Sequence, residues 1–171
     1  MGKRRISLNL EGRWKNCNES YPDRDRLAID LLEGYEVSSV YDLGCGNKTL
    51  QKYFTFPVVY FPVDKYDRGI GTIVKDFDKK EYPLYTVDCS IVLGVFEYIK
   101  ELQSFIDFIE GKTTRVLVCS FSFLESFQHR EKCGWINHLS RDKFLKKFKR
   151  FEVVRSRRIK SWEIFLMEKV K

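Results

Sequence analysis

Apolar residues follow two kinds of spacing along this sequence, and the two kinds alternate. Ala28, Leu31, Leu32 and Tyr35 have the spacing of one helical face, which predicts a first helix that begins at Pro22. A short extended run, a glycine-containing turn, a second helical segment and a second extended run follow. This order of elements predicts a strand, a crossover helix and a parallel strand.

The same alternation continues to the C-terminus. The predicted strands cover residues 38–44, 57–64, 71–74, 87–94 and 115–121, and the later helices cover residues 47–54, 97–111 and 140–148. Two further extended runs, 151–159 and 161–170, are joined by a turn too short for a crossover helix, so we expect an antiparallel hairpin. The sequence therefore predicts an α/β fold: a three-layer sandwich around a mostly parallel seven-stranded sheet with an antiparallel C-terminal hairpin strand.

The composition is that of one globular domain. Apolar residues make up 43% of the 171 residues, so we expect a single domain over residues 1–171. Residues 1–20 are interpreted as a flexible arm or a lid, and the segment around Trp14, Asn16 and Tyr21 would form the lid. No apolar run approaches the roughly 20 residues of a membrane span, and the N-terminus lacks the apolar core of a signal peptide. We therefore expect a cytoplasmic protein, and the oligomeric state stays open.

The five cysteines do not form a metal-binding or disulfide pattern. Cys17, Cys45, Cys89, Cys119 and Cys133 include no C-x-x-C pair, and no histidine lies at ligand spacing. An odd number of cysteines also argues against a disulfide framework. We expect no metal site and reduced cysteines that pack as small apolar residues.

Positive charge is concentrated near the C-terminus. The chain carries 31 Lys and Arg against 24 Asp and Glu, a net charge of +7, and much of the excess lies in residues 141–160. A basic segment favours an anionic partner, so nucleic acid is one alternative. Phe144, Phe148 and Phe151 are interleaved with these charges at helical spacing, which is more typical of core packing. A small-molecule partner is therefore favoured over nucleic acid.

Acidic residues and glycines stand where the predicted strands end. In chain order they are Asp42, Gly44 and Gly46, then Asp64, then Asp76, then Gly94 and Glu97. Ligands of open α/β sheets bind beyond the carboxyl ends of the strands. Glycines let the backbone turn sharply and approach a ligand, and Asp64, 20 residues after Gly44, is placed to accept hydrogen bonds from ribose hydroxyls. Asp42 would repel a pyrophosphate but attract an ammonium or sulfonium group, which disfavours a dinucleotide.

Four segments, "VYDLGCGNKTL", "FPVDK", "IVKDFD" and "CSIVLGVFEYI", together resemble the sequential motifs of class I S-adenosylmethionine-dependent methyltransferases. The resemblance covers about residues 38–121, and the C-terminal helix and hairpin are similar to the last elements of that family. It implies S-adenosylmethionine as cofactor and methyl transfer (EC 2.1.1) by in-line displacement. The implied cofactor-binding residues are Asp42, Gly44, Cys45, Gly46, Asp64, Lys65, Asp76, Phe77, Leu93 and Gly94.

Lys48 departs from the pattern of this family, which often has a third glycine at that position. A long cationic side chain there makes the loop less roomy or projects to solvent. This departure is the basis of an alternative function, a non-catalytic protein that binds the cofactor or serves as a scaffold with the same fold.

Methyl transfer from a sulfonium depends mainly on positioning and a dry site, so a general base is optional. Glu97, His129 and His138 are the candidates if a base is needed. Residues 121–139 form a long segment after the fifth strand, where a substrate loop would lie. The predicted acceptor-binding residues are Tyr98, Arg130, Trp135 and Asn137. The acceptor itself, which we expect to be a small molecule, is not identified by the sequence.

Overall fold

The structure of the protein is a computed structural model that describes residues 21–170 together with Gly12 and Lys15. Trp14 and Asn16, which were assigned to a predicted lid, lie outside the described residues, as does Cys17. Tyr21, the third of the predicted lid residues, is described and immediately precedes the first helix.

Seven strands form one sheet. The strands are β1 (Ser39–Leu43), β2 (Val59–Asp64), β3 (Ile73–Val74), β4 (Val87–Val92), β5 (Thr113–Ser122), β6 (Phe151–Ile159) and β7 (Trp162–Lys169). Their order is β3-β2-β1-β4-β5-β7-β6. Strands β1 to β5 are parallel, and β7 is antiparallel to both β5 and β6. The predicted fold class is confirmed, and the strand order reverses between β1 and β4, where ligands of such sheets bind.

The helices are shorter than the sequence pattern predicts. They are α1 (Pro22–Asp30), α2 (Leu102–Lys112) and α3 (Arg141–Leu145), with 3₁₀ segments at Thr49–Tyr53, Phe77–Lys79 and Arg130–Cys133. The segment predicted as a helix over residues 47–54 is thus a single 3₁₀ segment, and the predictions for 97–111 and 140–148 were too long. No helix in the described part of the chain is long and apolar enough to cross a membrane.

A distant loop explains why α2 begins late. The main-chain carbonyl of Glu97 accepts hydrogen bonds from the amides of Ile136 (2.8 Å) and Asn137 (3.1 Å). The side-chain amide of Asn137 donates to the carbonyls of Phe96 and Ile99, both at 2.7 Å. Carbonyls that would accept helical hydrogen bonds are therefore already used by the segment after β5.

The sheet is covered on both faces, as its alternating side chains require. One face packs against α1 through Ala28, Leu32, Val40, Ile91, Val118 and Leu166. The other face packs against α2 and α3 through Tyr41, Phe105, Ile109, Leu117, Phe144 and Phe165. Phe148 and Phe151 are also buried in this second cluster, so all three phenylalanines of the basic segment pack in the core.

Part of the basic segment lies on β6, which is the edge strand of the sheet. Arg155, Arg157 and Arg158 are exposed there, and Arg158 pairs with Glu163 of β7. Charged side chains on an edge strand oppose pairing with the edge of another sheet. The sheet edge therefore gives a structural reason for part of the positive charge.

Candidate functional site

A crevice of about 220 Å³ lies at the carboxyl ends of the parallel strands. The loops that follow β1, β2, β3 and β4 line it, and Tyr21 and Arg24 from the start of α1, Trp135, and Trp162 at the start of β7 complete its walls. The predicted site residues that line it are Gly44, Cys45, Gly46, Asp64, Lys65, Asp76, Phe77, Leu93, Gly94, Glu97, Tyr98 and Trp135. Residues from four strand ends therefore meet in one place, as parallel strands require.

The glycines of the loop after β1 have different reasons to be glycine. Gly44 has φ +84°, and a Cβ on it would lie closer than 3.0 Å to Cγ2 of Val95, so the loop after β4 packs directly on it. Gly46 has φ +48°, and a Cβ there would meet nothing within 4 Å. Because Gly46 lines the crevice, this open space is available to a ligand. Cys45 between them is buried, and burial raises the pKa of its thiol, which keeps it neutral.

Lys48 has a structural role next to this loop. It adopts the left-handed backbone conformation, with φ 56°, which a glycine would adopt more easily. Its Nζ donates hydrogen bonds to the main-chain carbonyls of Gly69 (3.2 Å) and Ile70 (2.8 Å). The lysine thus braces the loop after β2 and does not line the crevice.

Asp64 connects the loops that follow β1 and β2. Its Oδ2 accepts from the amide of Gly46 (2.9 Å), and its Oδ1 accepts from the amide of Tyr66 (3.0 Å). Arg68 forms a buried ion pair with it at 3.1 Å and also donates to the carbonyl of Lys15 (3.1 Å). The carboxylate is therefore held rigidly at the crevice by main-chain donors and one guanidinium.

The wall after β3 is built from a carboxylate and an aromatic ring. Asp76 accepts a hydrogen bond from the amide of Asp78 (3.1 Å), which caps the short 3₁₀ segment, and it pairs with Lys65 at 3.4 Å. The ring of Phe77 is buried and stacks on Phe105, with 4.5 Å between the ring centroids. Phe77 therefore presents a fixed apolar surface to the crevice.

Asp42 lies behind the glycine loop and not on the crevice wall. It is buried, and Tyr60 donates a hydrogen bond to it. Burial raises the pKa of its carboxyl to about 7, and the nearby carboxylates of Asp25 and Asp64 act in the same direction. Thr49 in turn donates to Asp25 at 2.6 Å. These contacts hold the glycine loop after β1 in place on the side away from the crevice.

Glu97 lies in the loop after β4 and contributes a carboxyl group to that end of the crevice. It is fully buried, its Oε1 accepts from the amide of Ser122 (3.0 Å), and no hydrogen-bond partner of its Oε2 is found in the described part of the chain. Burial raises the pKa of this carboxyl to about 7, although Arg130 and Arg24 act in the opposite direction. Glu97 can therefore exchange a proton near neutral pH.

The segment between β5 and α3 contributes Trp135 to the crevice, and other residues hold that segment in place. Arg130 is buried, donates to the carbonyls of Ser122 and Asn137, and stacks 4.9 Å from the Trp135 ring. The structure does not bring Arg130, Asn137, His129 or His138 to the crevice wall. Both histidines are exposed.

Arg24 and Trp162 were not among the site residues predicted from the sequence. Both line the crevice, and the guanidinium carbon of Arg24 lies 5.7 Å from the Trp162 ring centroid. Arg24 is one of several charged residues in a helix whose apolar spacing gives no sign of it, and Trp162 lies in the hairpin, far away in sequence. Only the antiparallel pairing of Trp162 with Ser122 at the end of β5 brings the tryptophan to this edge.

Within the described residues, no group of three or more His, Cys, Asp and Glu side chains is arranged to hold a metal ion. The crevice combines apolar walls, such as Phe77 and Leu93, with polar groups, such as Asp64 and Asp76, and this combination suits an organic ligand with polar groups.

No protein-family model matches the sequence, and no curated protein matches it. Solved structures match its fold. Burkholderia thailandensis 1,6-didemethyltoxoflavin-N1-methyltransferase, with bound 1,6-didemethyltoxoflavin and S-adenosylhomocysteine, is similar with a TM-score of 0.72 and 12% identity over 95% of this chain and 86% of that one. The N-methyltransferase NodS of Bradyrhizobium japonicum, in complex with S-adenosylhomocysteine, gives 0.69 and 14% over 87% of each chain.

A third similar structure is a putative methyltransferase in complex with the Haloferax volcanii Trm112 methyltransferase activator, with a TM-score of 0.71 and 13% identity over 86% of this chain and 90% of that one. The chain therefore has the fold of S-adenosylmethionine-dependent methyltransferases. The fold named by the sequence resemblance is confirmed.

Proposed function

We propose that the protein binds S-adenosylmethionine in this crevice and transfers its methyl group to a small-molecule acceptor. The main support for this proposal is that the glycine loop, Asp64, Phe77 and Gly94 all line one crevice, at the point where the strand order reverses. The methyltransferases of the same fold that were crystallised with S-adenosylhomocysteine support the choice of cofactor.

The adenosine part of the cofactor would lie on the side of β2 and β3. In the proposal Asp64 accepts hydrogen bonds from the ribose hydroxyls. Asp76 accepts from the adenine amino group, the amide of Phe77 donates to a ring nitrogen, and Lys65 holds Asp76 in position. Gly46 leaves room for the nucleoside because nothing lies within 4 Å of its absent Cβ.

The methionine part would then extend past Gly44 and Cys45 toward Leu93 and Gly94. The amide of Gly94 is fixed by Oγ of Ser120 at 2.9 Å, so this part of the wall is rigid. In the proposal Asp42 does not contact the cofactor directly. It acts as a buried negative or titrating group behind the loop, where it favours a cationic ligand.

The reaction is an in-line displacement at the methyl carbon. A lone pair of the acceptor forms the new bond to carbon while the carbon–sulfur bond breaks, and its electron pair leaves with sulfur as the neutral thioether of S-adenosylhomocysteine. An acceptor N–H or O–H proton passes to Glu97, whose carboxyl pKa of about 7 suits this transfer. Tyr98 and Trp135 form the acceptor walls, and Arg130 and Asn137 position the segment that carries Trp135.

A nucleic-acid acceptor is less well supported. The aromatic residues of the basic segment, Phe144, Phe148 and Phe151, are buried in the core, so they cannot stack on bases. The non-catalytic alternative started from Lys48, whose side chain is directed at the carbonyls of Gly69 and Ile70 instead of the crevice. Neither feature therefore opposes a small-molecule methyltransferase.

Isothermal titration with S-adenosylhomocysteine and S-adenosylmethionine tests the proposed binding. We expect one site per chain in the wild type and a loss of at least about tenfold in affinity for Gly46→Ala, because a methyl group there enters the crevice. Gly34→Ala is the matched control: Gly34 also has positive φ and an open Cβ position, but it does not line the crevice. No binding at millimolar cofactor, or equal loss in both variants, would contradict the site.

Turnover is tested separately by following S-adenosylhomocysteine release with a panel of small amines, phenols, thiols and carboxylic acids. We expect release with at least one class of acceptor and a lower rate for Glu97→Gln. Tight cofactor binding without release across the whole panel would favour the non-catalytic alternative.

A further inference from the structure

Arg130 is a buried cation that does not line the crevice. The residue is only 2% exposed, and its guanidinium donates to the main-chain carbonyls of Ser122 and Asn137. These carbonyls carry no net charge, and Nε of Arg130 has no hydrogen-bond partner in the described part of the chain. A buried guanidinium is destabilising unless an opposite charge compensates it. We therefore looked for a carboxyl group that interacts with Arg130.

Glu97 supplies the opposite charge. Burial lowers the pKa of the Arg130 guanidinium, and Glu97 opposes this change more strongly than Cys133 and Glu125 do. Glu97 is itself fully buried, and its Oε2 has no hydrogen-bond partner in the residues that the structure describes. Opposite charges attract each other more strongly where solvent is excluded, so Glu97 is the principal counter-charge of Arg130.

Ser122 connects the two side chains through its main chain. Its amide donates to Oε1 of Glu97 at 3.0 Å, and its carbonyl accepts from Nη1 of Arg130. Ser122 is the last residue of β5, which lies between β4 and β7 in the interior of the sheet. The carboxyl group and the guanidinium are therefore held in fixed positions relative to each other.

Among the described residues, two other titratable groups interact electrostatically with Glu97. The guanidinium of Arg24 on α1 also lowers the pKa of the Glu97 carboxyl group, but less than Arg130 does. Arg24 has a carboxylate of its own, since its Nη2 lies 3.3 Å from Asp25. The Cys119 thiol on β5 is kept neutral because burial raises its pKa. Arg130 is thus the main counter-charge of Glu97.

We infer that Arg130 is a positioning residue for Glu97: its buried guanidinium is the counter-charge that allows the Glu97 carboxyl group to ionise at the crevice. In the proposed function the ionised form of Glu97 receives the acceptor proton. Arg130 therefore acts through Glu97, without contact to the acceptor. The inference rests on the proposed function only for the role of Glu97 as a base, and the coupling between the two charges does not depend on it.

Titration of Glu97 by nuclear magnetic resonance tests the inference. In protein labelled with ¹³C at the glutamate carboxyl carbon, the Glu97 signal is the one that is absent from Glu97→Gln. We expect its midpoint at about 7 in the wild type. In Arg130→Met the midpoint should be at least about one pH unit higher, because loss of a nearby opposite charge favours the neutral form. An unchanged midpoint in Arg130→Met would overturn the inference.

Two variants separate the charge of Arg130 from its hydrogen bonds. Arg130→Lys keeps the charge and should hold the Glu97 midpoint within about half a pH unit of the wild type. Asn137→Ala is the control for structure, since Asn137 anchors the same segment to the carbonyls of Phe96 and Ile99 but carries no charge. It should also leave the midpoint within about half a unit. A shift in Asn137→Ala as large as that in Arg130→Met would mean that Arg130 only holds the segment in place, and the inference would fail.

A reciprocal measurement requires no replacement of Arg130, and so also covers the case in which Arg130→Met does not fold. In wild-type protein labelled with ¹⁵N-arginine, the Nε–H signal of Arg130 should shift with pH at the same midpoint as Glu97. In Glu97→Gln this signal should stay constant between about pH 6 and pH 8. An Arg130 signal that does not respond to pH in the wild type would show that the two groups are not coupled.

Neither titration needs the cofactor or an acceptor, so its failure is distinct from a failure of the proposed function. With an acceptor in hand, the acid limb of the pH profile of kcat/KM should move upward in Arg130→Met by the same amount as the Glu97 midpoint. A limb that stays in place while the Glu97 midpoint moves would support the coupling and contradict Glu97 as the base.

Discussion

Replacement of Glu97 by Gln tests whether burial raises the pKa of the Glu97 carboxyl group. Glu97 is fully buried, and its pKa rises from an ordinary value of 4.5 to about 7, first because burial disfavours the charged form. In the wild type, the raised pKa of Glu97 makes its full contribution to the free energy of unfolding below pH 4.5, and this contribution is lost as the pH rises through 7. Gln has nearly the same shape and does not ionise, so the variant avoids this loss.

The size of the effect follows from the shift in pKa. A difference of roughly 2.5 pKa units at about 1.4 kcal/mol per unit corresponds to about 3 kcal/mol. Glu97→Gln should therefore unfold with nearly the same free energy as the wild type at pH 4. At pH 8 it should be more stable by about 3 kcal/mol. Asp42, whose carboxyl pKa is also about 7, titrates in both proteins and cancels in the comparison.

The assay is urea unfolding followed by circular dichroism at several pH values between 4 and 8.5, with the difference in free energy of unfolding plotted against pH. Glu36→Gln is the matched control, because Glu36 is exposed and its replacement should give a small difference that does not change with pH. A Glu97→Gln difference that is the same at pH 4 and pH 8 would mean that burial does not raise the pKa of the Glu97 carboxyl group.

Three further substitutions test the structure around the site and the core. Gly44→Ala should destabilise the protein by more than Gly34→Ala, measured by urea unfolding, because both positions have positive φ but only the first meets another side chain. Lys48→Gly should leave the affinity for S-adenosylhomocysteine within about threefold of the wild type by titration calorimetry, because the lysine does not line the crevice; a tenfold gain would show that it obstructs the cofactor. Phe144→Ala should cost about 3–5 kcal/mol of unfolding free energy because Phe144 is fully buried. Leu84→Ala, at an exposed position, should change it by less than about 0.5 kcal/mol, and equal effects would contradict the packing described.

The strands and their pairing could be predicted from the sequence because the apolar pattern within each strand and the length of each connection are local features. The nearly continuous apolar runs of β4 and β5 and the short turn between β6 and β7 each constrain pairing directly. The alternation of strands and helices along the sequence also predicts that Asp64 lies at the end of β2. In the structure, Asp64 contacts the glycine loop through the amide of Gly46.

The helix bounds could not be obtained in this way. The helical spacing of apolar residues continues upstream of Leu102, but the carbonyl of Glu97 is bonded to the amides of Ile136 and Asn137. That competition depends on a loop about 40 residues away, which no local window contains. Propensity was overridden here by tertiary hydrogen bonds.

The candidate site was predictable where the strands end and unpredictable elsewhere. Arg130 was expected to contact the acceptor because it is a polar residue in a long loop, but its guanidinium donates to main-chain carbonyls and supports Trp135. Arg24 and Trp162 reach the crevice only through the packing of α1 and the pairing of β7 with β5. Such convergence depends on the folded chain as a whole.

A crystal structure of the protein with S-adenosylhomocysteine would show whether the crevice is the cofactor site. We expect density along the crevice, with the adenine against Phe77, the ribose hydroxyls at Asp64 and the homocysteine part extending past Gly94. Density for the nucleoside at another place on the molecule, or an empty crevice under conditions in which the ligand binds in solution, would contradict it.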